Sequence, residues 1–103
     1  MNLIKITGNL VNKPELTFCE ESRRYLYQFC VAVNRPNGSG LTDFIPCCAN
    51  ITHGDKNDMK LKYFNKGDKI QVTGALTTRR YEDRYKQKRT AFEIECNEIA
   101  YGF

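Results

Sequence analysis

Asn57-Asp58-Met59-Lys60-Leu61-Lys62-Tyr63-Phe64-Asn65-Lys66-Gly67 is the stretch that breaks the prevailing rhythm of the chain. Elsewhere apolar residues tend to recur at every second position. Here Met59 and Tyr63 stand four apart with Phe64 beside them, the spacing of one helix face. Asp55, Asn57 or Asp58 can cap the start, and Gly67 suits the position just past the end. The stretch predicts a short helix of about two turns, set among strands.

Alternation returns on both sides. Leu3 to Val11 is β-branched and apolar, interrupted by Gly8. Tyr25, Phe29, Val31 and Val33 alternate with Leu26, Gln28, Cys30 and Ala32, as in a strand with one buried face. Residues Asn34 to Gly40 form a turn cluster. Thr42 to Ala49 reads as the next strand, with Ile45, Cys47 and Ala49 facing one way and Phe44, Pro46 and Cys48 the other. Pro46 has no N–H to give a ladder, which predicts a sheet edge or a bulge there. Past Gly67, Lys69 to Tyr81 sets Ile70, Val72, Gly74 and Leu76 on one face, and Gln71, Thr73, Thr77, Arg79 and Tyr81 on the other. Thr90 to Tyr101 places Phe92, Ile94 and Cys96 inward. The phase then slips by one, because Ile99 and Tyr101 are the next apolar residues, and this predicts a bulge or bend near Asn97.

Three strands, a short helix and two strands is the element order of the OB-fold, an all-β, five-stranded Greek-key barrel with one helix between strands three and four. Among small five-stranded barrels the helix position is the discriminating feature. A length of 103 residues suits one domain spanning 1–103. With 41% hydrophobic residues the composition is globular. No segment approaches the ~20 apolar residues of a membrane span. Met1-Asn2-Leu3-Ile4-Lys5 lacks the features of a signal peptide, so a cytoplasmic location is expected.

The five cysteines, Cys19, Cys30, Cys47, Cys48 and Cys96, are odd in number and none are spaced Cys-x-x-Cys. His53 is the single histidine, with no close ligand partner. Neither a metal nor another cofactor is expected. The thiols read as reduced, small apolar groups. Cys47 and Cys48 are neighbours and point to opposite faces of a strand. No catalytic constellation emerges either. Glu20 and Glu21 diverge on a strand, Glu82 and Asp83 sit in a basic hairpin, and Gly38-Ser39-Gly40 is a turn without a following helix. The chain is expected not to be an enzyme.

The net charge is +4, and its distribution is more telling than its size. Arg79, Arg80, Arg84, Lys86, Lys88 and Arg89 are opposed only by Glu82 and Asp83, with Tyr81 and Tyr85 among them. Cations interleaved with aromatics suit a phosphate backbone with exposed bases. A solvated hairpin tip kept polar for solubility is the alternative, and this segment alone leaves both open.

Several stretches resemble bacterial single-stranded DNA-binding proteins. These are Met1–Leu10 with Asn12-Lys13-Pro14-Glu15-Leu16, Phe29-Cys30-Val31-Ala32-Val33-Asn34-Arg35, Thr42-Asp43-Phe44-Ile45-Pro46-Cys47, Tyr63-Phe64-Asn65-Lys66-Gly67-Asp68, and Gly74-Ala75-Leu76-Thr77-Thr78-Arg79-Arg80-Tyr81-Glu82-Asp83. Each alone is weak, but the five occur in the family's order and span nearly the whole chain. The resemblance implies sequence-tolerant binding and protection of single-stranded DNA in replication, recombination or repair, at the nucleoid. Phe44 and Tyr81 match stacking aromatics. Arg79, Arg80, Arg84, Lys86, Lys88 and Arg89 would meet phosphates; Tyr85 would stack or stay idle; Arg35, Lys5 and Lys13 are weaker candidates. Each also has a plainer reading: Phe44 as core, Tyr81 as cross-strand packing.

The resemblance further implies a homo-oligomer, tetramer or dimer, built partly through the first strand, where Leu3, Ile4, Ile6 and Leu10 offer apolar surface or fill the barrel. Some features depart from the family. There is no tryptophan, the Asn34–Thr42 hairpin lacks an aromatic, and Asn50 stands where the family often has one. Ile51-Thr52-His53 looks inserted. The chain stops at Gly102-Phe103, without the linker and acidic tip through which relatives recruit partners, so tail-mediated recruitment is not supported. Alternatives of other classes are an OB-fold primosome-type accessory protein, an RNA-binding module and a protein–protein adaptor.

Overall fold

The computed structural model describes residues 1–20, 23–50 and 56–102. The strands are β1 (Ile4–Leu10), β2 (Glu15–Cys19), β3 (Arg24–Asn34), β4 (Thr42–Asn50), β5 (Lys69–Glu82) and β6 (Lys88–Tyr101), with helix α1 (Lys56–Leu61) between β4 and β5. The order across the sheet is β1-β5-β6-β4-β3-β2, and β1 also pairs with β3. Five strands therefore bond in a ring, β1-β5-β6-β4-β3, as in an OB-fold barrel. The sixth, β2, extends the ladder of β3.

That sixth strand was not expected from the sequence. β1 and β2 both run antiparallel to β3, with Leu10 opposite Val31 and Glu15 opposite Gln28. Four residues, 11–14, thus face only two, Phe29 and Cys30. Pro14 is buried there and has no ladder donor, so the first strand breaks in two. Val11 N–H still donates to Cys30 O at 2.9 Å and holds the break against β3.

β4 and β6 run parallel and meet only at Cys47↔Ile94 and Cys48↔Glu95. Pro46 lies one residue before this contact and has β3 alone as its neighbour. It sits at an edge, as its missing N–H requires. The bulge expected near Asn97 is present: Thr73 pairs with Glu98 and Gly74 with Cys96, leaving Asn97 out of register. Its carbonyl accepts a bond of 3.0 Å from Asn57 Nδ2 of α1. The bulge therefore docks the helix as well as resetting the phase of β6.

The helix has six residues and is shorter than expected. Asp55 lies outside the described residues, as do Ile51, Thr52, His53 and Phe103. Asn57 and Asp58 lie within the helix and bond elsewhere: Asp58 Oδ1 accepts from Tyr27 Oη at 3.2 Å. The carbonyls beyond the helix are met by Lys13, whose Nζ donates to Lys62 O at 3.1 Å and Phe64 O at 2.9 Å. Lys13 is therefore a structural clasp rather than a free cation. Gly67 takes φ 88° in the turn back toward β1, where its N–H donates to Leu10 O at 2.8 Å.

Phe64, Leu61, Ile70, Ile94, Ile99, Val31 and Val72 fill the barrel with side chains that are fully buried. Each contributes about 1.5–3 kcal/mol by burial. Phe64 also stacks on Tyr101, ring centroids 4.4 Å apart. Tyr63, expected on the helix's apolar face, is exposed instead, because α1 ends two residues before it. Tyr25, Leu76 and Phe92 are on the core side by parity, yet all three are exposed. The ladders that carry them run past the ends of the barrel, where nothing among the described residues covers that face. Tyr25 packs on Phe18 at 5.1 Å.

Cys47, Cys48 and Cys96 are buried thiols. The Cys47 thiol is held well above its usual pKa by the thiol of Cys96 and by burial. That of Cys48 is pushed up to about 12, chiefly by burial and then by Glu93 and Glu95. Both stay protonated near neutrality and are poor nucleophiles.

β5 and β6 continue beyond the ring as a two-stranded arm, paired out to Glu82↔Lys88. Its turn is organised by Asp83. Oδ1 accepts from the N–H of Tyr85 at 2.8 Å and of Gln87 at 3.0 Å, and Oδ2 accepts from Arg89 Nε at 3.0 Å. Lys86 takes φ 62°, the left-handed position that closes such a turn.

Two expectations follow. A methyl group on Gly74 would meet the backbone carbonyl of Glu95, so Gly74→Ala should destabilise the barrel by about 1–3 kcal/mol. An unchanged urea midpoint would contradict the close approach. The Asp83 carboxyl is held below its ordinary pKa by the Gln87 N–H, then by Arg89 and the Tyr85 N–H. A carboxylate depressed on folding adds stability above its unfolded pKa of about 3.9, and that stability is lost as pH falls through the folded value. In an acid titration the Tyr85 and Gln87 amide resonances should therefore move together, with a midpoint below the ordinary carboxylate value. A midpoint at or above that value would refute the arrangement.

Candidate nucleic-acid interface

Alternation on a closed sheet gives each strand an inner and an outer row. On β4 the inner row is Ile45, Cys47 and Ala49, and the outer row is Phe44, Pro46, Cys48 and Asn50. Phe44 is 64% exposed, so it is not core. On β6 the outer row includes Glu95, Glu93, Ala91 and Arg89. Their β5 partners are Ala75, Thr77, Arg79 and Tyr81. Tyr81 is 47% exposed.

Because β4 and β6 run parallel and meet at Cys48 and Glu95, moving back along both leads to one end of the barrel. Phe44 lies that way on β4, and the arm lies that way on β6. Phe44 and Tyr81 therefore belong to the same outward face, at the same end.

The expected cations divide into several groups. Residues paired across an antiparallel ladder share a face. Arg89 pairs with Tyr81, and Arg79 lies two residues before Tyr81, so both share its face. Arg80 and Lys88, paired with Thr90 and Glu82, belong to the other face. Twist at the ribbon's edge brings the two faces together, in a cleft lined by Arg80, Tyr81, Glu82 and Lys88. Arg84, Tyr85 and Lys86 form the tip, where the Arg84 guanidinium lies 5.1 Å from the centre of the Tyr85 ring. This is cation–π distance.

Two candidates are already paired. Arg35 holds Asp43 with both ends of its fork, Nε to Oδ2 and Nη2 to Oδ1, each at 3.0 Å. This raises the Arg35 pKa and lowers that of Asp43. Arg89 is tied to Asp83 at 3.0 Å. These are the two ion pairs among the described residues. Arg79, Arg80, Arg84, Lys86 and Lys88 are exposed and outside both.

The sequence reading passed over the acidic residues of this face. Glu93 and Glu95 lie between the Phe44 strand and the Tyr81 strand, and Glu95 Oε1 accepts from Asn50 Nδ2 at 3.1 Å. The signal was available: the parity that turned Ile94 and Cys96 inward turned both glutamates outward. Among the described residues there is no group of side chains able to hold a metal ion, and no helix long and apolar enough to cross a membrane.

The model of the Single-strand binding protein family matches residues 1–101. A single-stranded DNA-binding protein of Fusobacterium nucleatum is 33% identical, over 99% of this chain and 67% of the relative. One from Clostridium tetani is 29% identical over 98% of this chain and 70% of its own length. Single-stranded DNA-binding protein 1 of Lactococcus lactis is 31% identical over 91% and 63%. With a family match running from Met1 to Tyr101, the chain belongs to the single-strand binding protein family.

Proposed function

We propose that the outward face bearing Phe44 and Tyr81 binds single-stranded DNA, holding it for replication, recombination or repair in the cytoplasm. The observation that carries this is the exposure of both rings on one face beside a cationic arm. Bases stack on Phe44 and Tyr81, and on Tyr85 at the tip. Phosphates meet Arg79, Arg80, Arg84, Lys86 and Lys88. Arg35 and Arg89 join only by exchanging Asp43 and Asp83 for phosphate. The function is binding and not catalysis, in keeping with the family.

The same reading includes self-association as a dimer or tetramer. Among the described residues, β1 pairs with β3 only at Asn9 and Leu10, and Gly8 packs against Ala32, which leaves one edge of Ile4–Thr7 open. Such an edge invites another strand. Met1, Leu3, Leu76 and Phe92 are large apolar side chains left exposed, and a second copy of the chain would cover some of them.

Stacking contributes ~1–3 kcal/mol per base. Phe44→Ala and Tyr81→Ala should each weaken binding to oligo-dT by roughly fivefold or more without lowering the melting temperature. Affinity should fall with salt at a log–log slope of about −3.5, from ~0.7 per phosphate for five unpaired cations. Equal affinity for duplex DNA, or indifference to both substitutions, would refute the stacking face. Preference for oligo-rU would point to RNA, and no binding to an adaptor role. Native mass spectrometry should show a dimer or tetramer; a monomer at every concentration would contradict the open-edge reading.

A further inference from the structure

The arm carries a ring on each of its faces. Tyr81 stands on the outward face, and Phe92 stands on the opposite, core-side one, beside Thr78 in the β5–β6 ladder. Phe92 is 58% exposed, against 47% for Tyr81. β6 meets β4 only at Ile94 and Glu95, so Phe92, two residues before that contact, has β5 alone as a paired neighbour. Ile94 is buried, which makes Phe92 the first side chain of β6 past the end of the core. Residues 34–46 and 74–94, which form this end of the barrel, are all described.

Charge is divided unevenly between the two faces. Beyond Phe92 the opposite face sets Thr90 beside Arg80 and Lys88 beside Glu82. Arg80 and Lys88 are exposed and in neither ion pair, and Glu82 is the one acid on that face of the arm. The outward face has Arg79 and Arg89, but Asp83 holds Arg89, and Glu93 shares that face. The opposite face is therefore the more favourable of the two for a polyanion. Arg80 stands diagonal to Phe92, ~7–8 Å away, so a base lying on the ring leaves its phosphate within reach of the guanidinium.

Resting on the binding reading above, we propose that single-stranded DNA clasps the arm on both faces, with Phe92 as a further stacking platform. The strand leaves Tyr81 and crosses the ribbon's edge through the cleft that Tyr81 lines together with Arg80 and Lys88. It then lays a base on Phe92 and its phosphates on Arg80 and Lys88. The contact tolerates any base, because every base has a flat face. The clasp accounts for the two available cations that lie away from Tyr81, and for a large ring left in water on a face that parity assigns to the core.

The chain has no tryptophan, so Phe92→Trp places its sole indole at this position, where fluorescence reports a base stacked on it. Saturating oligo-dT should quench that fluorescence. Phe92→Ala should weaken oligo-dT binding by about fivefold or more. Phe92→Leu keeps apolar bulk but not the flat ring, and should weaken binding to a similar degree. Both variants should keep the melting temperature and native mass of the unaltered chain, since the ring lies outside the core. No quench while Tyr81→Ala still weakens binding, or Phe92→Leu binding as tightly as the unaltered chain, would overturn the clasp and leave the outward face standing. A lower native mass for Phe92→Ala would assign the ring to a second copy of the chain and overturn the clasp likewise. Failure of the unaltered chain to bind oligo-dT would overturn both readings.

Discussion

Closure of the sheet is the constraint on which everything else depends. β4 and β6 touch at only two registered pairs, Cys47↔Ile94 and Cys48↔Glu95, and the ring is completed by two more between β1 and β3. Once the ring closes, each side chain of the barrel strands is either inside or outside. Cys47 and Ile94 turn into the core, and Cys48 and Glu95 turn to the outer side, where Cys48 is covered and Glu95 is exposed. Phe44 is outside because it shares parity with Cys48. A slip of one residue in β4 would bury Phe44 and expose Ile45 and Cys47, so the interface and the core are specified by the same register.

The second determinant is where charge falls on the outward face. The arm is cationic and projects beyond the barrel, where both its faces meet water. The centre of the face, by contrast, carries Glu93 and Glu95. On the binding reading proposed above, such a surface would sort a polyanion with flat bases, drawing phosphates to the arm and leaving bases over the sheet. Asp43 and Asp83 refine the pattern by neutralising Arg35 and Arg89, so the cations available to phosphate are fewer than the basic residues. Asp83 also organises the turn and rigidifies the tip that presents Tyr85.

Much of this was legible in the sequence. Period-two alternation assigned Phe44 and Tyr81 outward, and the phase slip after Cys96 located the bulge at Asn97. Those readings rest on local geometry, which a strand expresses without help from its neighbours. The rest depends on partners distant in sequence. Parity placed Leu76 and Phe92 on the core side, but it cannot say where the core ends. The strand Glu15–Cys19 was hidden because its pairing with β3 is offset by two residues around Pro14. Lys13 looked like a surface cation until the fold brought it to the carbonyls of Lys62 and Phe64. Arg35 and Arg89 looked available because ion pairing to Asp43 and Asp83 has no signature in composition.

The central claim is that the outward face of β4, β6 and β5 is where single-stranded DNA lies. Amide chemical-shift mapping with a saturating single-stranded oligonucleotide tests it most directly. The account predicts perturbations that run from Asn50 and Phe44 on β4, across Glu93 and Glu95, to Arg79 and Tyr81 and the arm's tip, with α1 and the β1–β5 ladder near Lys5 quiet. Perturbations concentrated on α1 and β2, with the Phe44 and Tyr81 rows unmoved, would contradict it.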